Sequence, residues 1–103
     1  MKEGIRKWLT EQFGSDEALI ADVYAEYVSS ARGKMAELAP AFAARDWAQV
    51  DRIAHTLKGN ALMIGDATLA EVAVALRAAS KAADATAAET IVARLEGLVR
   101  ELD

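Results

Sequence analysis

Apolar residues recur at steps of three and four along most of the chain, the spacing that places side chains on one face of an α-helix. A short stripe, ending near Gly14, consists of Ile5, Trp8, Leu9 and Phe13. A long stripe follows and consists of Ile20, Tyr24, Tyr27, Ala31, Met35, Leu38 and Phe42. These repeats predict an all-α fold whose short first helix packs on the others, with Trp8 as a packing anchor.

Three more stripes complete the predicted core. The segment from Trp47 to Ile64 has an apolar face made of Val50, Ile53, Ala54, Leu57, Ala61 and Ile64. The next helix is predicted to bury Leu69, Val72, Ala73, Leu76, Ala79 and Ala83. The last is predicted to bury Ile91, Leu95, Leu98 and Leu102. Short connections between four sizeable helices favour an antiparallel up-down-up-down four-helix bundle with a short additional N-terminal helix.

Small polar residues mark the expected helix starts, because their side chains can accept hydrogen bonds from the free N–H groups of the first turn. The expected N-caps are Ser15, Asp46, Thr68 and Thr86. Three of them would form capping boxes with Gln49, Glu71 and Glu89. Asp84 and Ala85 are then expected in a connection.

Two residues mark expected helix ends. Pro40 should kink or end the long helix nearby, because proline lacks an amide donor, with helical structure persisting weakly to about Ala44. Gly65 fits a left-handed C-terminal cap, so its role is assigned to the fold.

Composition narrows the function classes. The 103 residues predict one domain over positions 1–103, and the absence of cysteine excludes disulfides, thiolate nucleophiles and cysteine metal sites. A formal net charge of −4, with basic residues scattered, argues against nucleic-acid binding. No segment resembles a signal peptide or a membrane span, and we expect a soluble cytoplasmic protein.

The single histidine, His55, has unusual neighbours. On a helix it projects about 160° away from Leu57, so it should be exposed, with Asp51 and Arg52 nearby. Lys58 at i+3 places an ammonium beside the imidazole. Gly59 at i+4 costs roughly 1 kcal/mol in a helix but leaves space beside the ring.

An apolar residue, Leu62, follows at i+7 on the same exposed face. A nucleophile, a cation, free space and an apolar contact together suit a site to which a partner brings a phosphoryl group. The chain has no glycine-rich phosphate loop, and no acidic cluster near the histidine suggests a Mg²⁺ site. We therefore expect no kinase or ATPase activity that would phosphorylate His55 from within the chain, and no cofactor of its own.

The stretch from His55 to Gly65 resembles the His-x-x-Lys-Gly-x-x-x-x-x-Gly signature of histidine-containing phosphotransfer (HPt) domains, the carriers of two-component phosphorelays. The resemblance implies a helical bundle over nearly the whole chain. It also implies that His55 accepts a phosphoryl group from an aspartyl phosphate of a receiver domain, or from a hybrid sensor kinase, and passes it to another response-regulator receiver. The Mg²⁺ would belong to the receiver.

The resemblance further implies that Nε2 of His55 is the acceptor and that an acid or amide on the following helix binds the other ring nitrogen. That position is Arg77 here, and a guanidinium cannot accept the Nδ1 proton. Two roles stay open for Arg77: contact with the phosphoryl oxygens, or a solvated helix charge. Asn60 replaces a frequent serine and either belongs to the docking face or only packs locally. Leu62 is the favoured apolar contact with a receiver.

Other functions are weighed against this one. A non-catalytic module of the same fold would bind receivers without turning over phosphate. A metal or cofactor bundle is disfavoured by the single histidine. A sensor-kinase dimer core usually has an acid after its histidine and a later proline, which this chain lacks, so a monomer is expected. Met1 followed by a compact bundle suits a stand-alone carrier.

Overall fold

A computed structural model describes residues 1–102 and shows that the fold is all-α, as predicted. Those residues form five α-helices and no strand: α1 (Glu3–Phe13), α2 (Glu17–Ala43), α3 (Trp47–Ile64), α4 (Ala67–Lys81) and α5 (Ala85–Arg100). The molecule measures 44 × 19 × 19 Å. Its long dimension is close to the length of α2, since 27 residues at 1.5 Å each span about 40 Å.

Consecutive long helices pack against each other around one apolar core. The contacts run from α2 to α3, from α3 to α4 and from α4 to α5, and α5 closes against α2. The short α1 packs on α2 and α3 and contributes Ile5 and Leu9 to the core. Thus α3, which carries His55, is held by three other helices.

Aspartates start the four long helices, and this corrects three of the expected N-caps. The Oδ1 atoms of Asp16, Asp46, Asp66 and Asp84 each accept a hydrogen bond from the N–H group three residues later. The prediction for Asp46 is confirmed, whereas those for Ser15, Thr68 and Thr86 are wrong. Helix α5 therefore begins at Ala85, which had been expected in the connection.

The backbone of the connecting aspartates also closes the preceding helices, which fixes the position at which each next helix starts. The N–H groups of Asp46, Asp66 and Asp84 donate to the carbonyl oxygens of Ala41, Ala61 and Ala79, five residues earlier. One residue thus ends a helix with its N–H group and starts the next with its carboxylate. A threonine two residues later already lies inside the new helix and cannot do both.

The helix ends follow the predictions, whereas one predicted core position of α4 does not. Helix α2 continues through Pro40 and ends at Ala43, and Gly65 adopts the predicted left-handed conformation with φ 76°. The prediction that Ala83 is buried is wrong: it is exposed with φ 50°, in the turn that follows α4. Helix α4 buries Ala70 and Ser80 beside the predicted residues.

The core face of α5 differs in part from the prediction. Leu95 is buried as expected, and Leu102 is buried too although it lies beyond the end of α5, but Ile91 and Leu98 are only half-buried. The centre of the stripe is instead formed with Ala88, Val92 and Val99. Within α2, Met35 and Phe42 are likewise half-buried, at the margin of the core.

A buried polar contact anchors the junction between α3 and α4. The Tyr27 hydroxyl on α2 donates to Asp66 Oδ2 at 2.7 Å, while Oδ1 of the same carboxylate caps α4. Next to it, Trp8 of α1 packs on Gly65 and donates from Nε1 to the carbonyl oxygen of Met63 at 3.2 Å. Trp8 is therefore a packing anchor, as predicted.

Candidate functional site

His55 is exposed on the face of α3 opposite the core. The six residues predicted to form the buried stripe of this helix are all buried: Val50, Ile53, Ala54, Leu57, Ala61 and Ile64. Because that stripe fixes the rotation of α3 against α2 and α4, it also fixes the direction in which the imidazole projects. The predicted exposure of His55 is confirmed.

Arg77 of α4 connects the histidine with an acid one helical turn before it. Its Nε donates to Asp51 Oδ1 at 2.9 Å, and its Nη1 lies 3.1 Å from Nδ1 of His55. The Arg77 and Asp51 side chains are 26% and 28% exposed, so the ion pair lies at the surface but is shielded in part. Arg77 is therefore not a purely solvated helix charge, which was one of the two roles left open for it.

The electrostatics favour an ionised Asp51. The hydrogen bond from Arg77 lowers the pKa of the Asp51 carboxyl group below its usual value, against the opposing effect of desolvation. The positive charges of Arg77 and Lys81, and then the His55 ring, lower this pKa further. A charged Asp51 holds the guanidinium where it reaches the imidazole.

These groups line an open depression of about 380 Å³. Its lining consists of Asp51, Arg52, His55, Thr56 and Arg77. Arg52 is directed toward Gln49, whose Oε1 accepts from Nε and Nη2 of the guanidinium at 3.1 and 2.9 Å. The structure therefore brings three of the sequence-predicted residues, Asp51, Arg52 and Arg77, into one surface with the histidine.

Lys58 and Leu62 line a second groove, between α3 and α4. This groove of about 220 Å³ also contains Ala67, Ala70, Glu71 and Val74. Leu62 and Val74 are 56% and 50% exposed, so two apolar side chains from neighbouring helices face solvent here. Val74 was not predicted to belong to the site, although an apolar residue outside the predicted stripe of α4 was a usable signal.

The Lys58 ammonium has no hydrogen-bond or salt-bridge partner among residues 1–102. It therefore remains available to an incoming anion. Gly59, the next residue, has open space where a side chain would project, because a Cβ atom built there meets nothing within 4 Å.

Asn60 points away from this surface. Its Nδ2 donates to Ser30 Oγ of α2 at 3.1 Å, and the side chain is half-buried. The sequence left two roles open for Asn60, a place on the docking face or packing within the protein. The structure shows a hydrogen bond that joins α3 to α2.

The structure also bears on metal binding and on membrane insertion. Within residues 1–102, no three histidine, cysteine or acidic side chains are grouped so that they could hold a metal ion. Among the helices of the same residues, none combines the length and the apolar character required to cross a membrane.

Comparison with known families gives one result that bears on this site. The family model described as the Hpt domain matches residues 22–103, which include α3 and α4. Searches of curated proteins and of solved structures gave no match. Hpt domains act in histidine phosphotransfer in two-component signalling and interact with receiver domains of response regulators. The match covers well over half of the chain and includes the exposed histidine, and the chain therefore belongs to the Hpt-domain family.

Proposed function

We propose that the protein is a phosphorelay carrier in which His55 accepts a phosphoryl group from an aspartyl phosphate on a receiver domain, or from a hybrid kinase, and donates it to another receiver. The observation that carries this proposal is the position of the only histidine. It is exposed on α3, opposite the core stripe, beside a free lysine and an unobstructed glycine.

In the forward step the lone pair of His55 Nε2 attacks phosphorus. A P–N bond forms, the P–O bond to the donor aspartate breaks, and its electron pair leaves with the carboxylate. Donation to the next receiver reverses these changes. Phosphoryl transfer depends mainly on positioning and on positive charge near the equatorial oxygens. Lys58 supplies part of that charge, and the catalytic Mg²⁺ is contributed by the receiver.

Gly59 provides clearance for the partner. In the free protein the added Cβ meets no atom within 4 Å, so packing within the chain does not require glycine there. The same is true of Gly33 and Gly97, which are also helical. Gly59 differs from them because it lies one turn after His55 on the same face, where the donor must approach.

Docking is assigned to the surface around His55. Leu62 and Val74 provide apolar contacts, and Asp51, Arg52 and Arg77 provide polar contacts at the other side of the histidine. Asn60 is assigned to packing between α2 and α3. The proposal includes a monomer whose α2 to α5 run up-down-up-down, which the packing of consecutive helices and of α2 on α5 supports.

Phosphotransfer from a receiver domain labelled on its aspartate tests the proposal. The native chain should acquire label that is stable in base and labile in acid, as a phosphohistidine is, and His55→Gln should acquire none. Gly59→Ala should slow transfer at least tenfold, whereas Gly33→Ala, the same change at an exposed helix position, should not. Acid-stable label, or equal label on His55→Gln, would refute the assignment.

One observation favours a second candidate, a module that binds receivers without turnover. A cation, Arg77, lies at the ring nitrogen where the family usually places an acceptor. Saturable binding of several phosphorylated receivers with no transfer from any of them would support this candidate over the carrier.

A further inference from the structure

The contact between Arg77 and His55 determines which ring nitrogen carries the proton. A guanidinium has N–H donors and no acceptor. The 3.1 Å contact between Nη1 and Nδ1 is therefore a hydrogen bond only if Nδ1 supplies the lone pair. In the neutral ring the proton then resides on Nε2.

This tautomer opposes the proposed reaction. A protonated Nε2 has no in-plane lone pair with which to attack phosphorus. The lone pair on Nδ1 is occupied by Arg77, which also covers that edge of the ring. Neither nitrogen is ready to accept a phosphoryl group while Arg77 keeps this position.

We propose that Arg77 is a positioning residue that holds His55 in its non-nucleophilic tautomer, and that phosphoryl acceptance at Nε2 requires Arg77 to leave Nδ1. This inference rests on the proposed function. It gives the carrier a resting state that reacts slowly with any phosphodonor that does not displace the arginine.

The surroundings of Arg77 allow such a displacement. Its partner Asp51 is 28% exposed, and ion pairs near the surface contribute little to stability because water competes for both charges. A docked receiver brings the anionic phosphoryl group, which binds a guanidinium through charge-assisted hydrogen bonds. The partner can therefore compete for Arg77 at small cost.

Asp51 is the acceptor that takes over at Nδ1. It lies four residues before His55, and residues at this spacing are neighbours on one helix face. Once Arg77 leaves, solvent carries the proton from Nε2 to Nδ1, and the Nδ1–H group donates to the Asp51 carboxylate. The freed lone pair on Nε2 attacks phosphorus, the P–O bond breaks toward the donor aspartate, and the proton stays on Nδ1.

Nitrogen-15 NMR of the ring tests the tautomer directly. His55 is the only histidine, so its two ring signals need no assignment by mutation. At alkaline pH, where imidazole is neutral, the native protein should show a pyridine-type Nδ1 and a pyrrole-type Nε2. Arg77→Gln offers a carboxamide oxygen to Nδ1–H and should exchange the two signals.

Arg94→Gln is the matched control, since Arg94 is an exposed arginine of α5 outside the site. Its ring signals should equal those of the native protein. A pyrrole-type Nδ1 in the native protein, or signals that Arg77→Gln leaves unchanged, would overturn the inference.

Transfer kinetics test the consequence. Arg77→Gln should accept phosphoryl from a labelled receiver about tenfold faster than the native protein, the change expected from one hydrogen bond of typical net strength, and Arg94→Gln should equal the native rate. Slower acceptance by Arg77→Gln would overturn the inference and assign Arg77 to stabilising the transferred group. No transfer to any variant would instead refute the proposed function, and the NMR signals would then decide the tautomer by the same criterion.

Discussion

Two polar contacts lie near opposite ends of α3, and they differ in burial. At the C-terminal end of α3, Tyr27 and Asp66 are 6% and 3% exposed and form a hydrogen bond of 2.7 Å. In its N-terminal third, Asp51 forms an ion pair of similar length, 2.9 Å, with Arg77, but each side chain keeps about a quarter of its surface in solvent. Contacts of similar length therefore differ in how far water can reach them.

The buried pair has no substitute partner. Both carboxylate oxygens of Asp66 are used, one by the Tyr27 hydroxyl and one by the N–H group of Leu69. Removing a donor there leaves a polar atom unsatisfied in the core, which costs about 1–3 kcal/mol. The partly exposed pair of Arg77 and Asp51 can exchange its hydrogen bonds with water or with an anionic ligand. A fixed junction at the C-terminal end of the helix and an exchangeable contact toward its N-terminal end suit a site that must rearrange without unfolding.

The largest effect is expected from Gly65→Ala, at the buried end. Gly65 has φ 76°, and an added Cβ would lie 2.5–2.9 Å from side-chain atoms of Trp8. A left-handed conformation costs a non-glycine residue about 1–2 kcal/mol, and overpacking adds about 1–3 kcal/mol. We expect urea denaturation to show a loss of about 2–5 kcal/mol in the free energy of unfolding.

Gly33→Ala is the matched control for that substitution. Gly33 is an exposed residue within α2 with open space around the built Cβ. Alanine there should raise the free energy of unfolding by about 0.5–1 kcal/mol, because it restricts the unfolded chain more than glycine does. Similar free energies of unfolding for the two variants would show that the junction between α1 and α3 is not tightly packed.

Tyr27→Phe should have the next largest effect, a loss of about 1–3 kcal/mol in the free energy of unfolding, because Asp66 Oδ2 loses its donor inside the core. Burial, and then the hydrogen bond to Asp66, raise the pKa of Tyr27 far above its usual value of 10.0. A raised pKa contributes stability below pH 10 that is lost as the pH rises further.

The difference between native protein and Tyr27→Phe should therefore be constant from neutral pH to about pH 10 and should shrink above it. Urea denaturation at a series of alkaline pH values measures this difference directly. A difference that grows with pH would contradict the protonated, hydrogen-bonded Tyr27.

The sequence predicted the features that depend on one helix. The apolar face of α3 and the exposure of His55 follow from the 3.6-residue period alone, and both are confirmed. The left-handed Gly65 was predicted from its position after the last apolar residue. Helix starts were predicted less accurately, because serine, threonine and aspartate are comparable caps. The position of each start depends on backbone hydrogen bonds to the preceding helix.

Contacts between residues that are far apart in the sequence could not be predicted from helical periodicity. Tyr27 and Asp66 are 39 positions apart, and no local pattern connects them. The contact of Arg77 with His55 depends on the alignment of α4 along α3, which helical periodicity does not determine. Resemblance to a family located Arg77 near the ring, but only the structure shows that its guanidinium occupies Nδ1.

The smallest effect is expected at the exposed contact, where Asp51→Asn should lower the free energy of unfolding by about 0.5 kcal/mol at neutral pH. The pKa of Asp51 is lowered from 3.8, first by the hydrogen bond from Arg77, so its contribution is present above pH 3.8 and is lost as the pH falls through the lower value of the folded protein. Urea denaturation of Asp51→Asn, Arg77→Gln and the double variant gives the coupling energy of the pair. That energy should stay below about 1 kcal/mol at pH 7 and approach zero in acid. A coupling energy as large as the loss in Tyr27→Phe would mean that the Asp51–Arg77 contact is as strong as the buried one. A docking partner could then not displace Arg77 from the histidine.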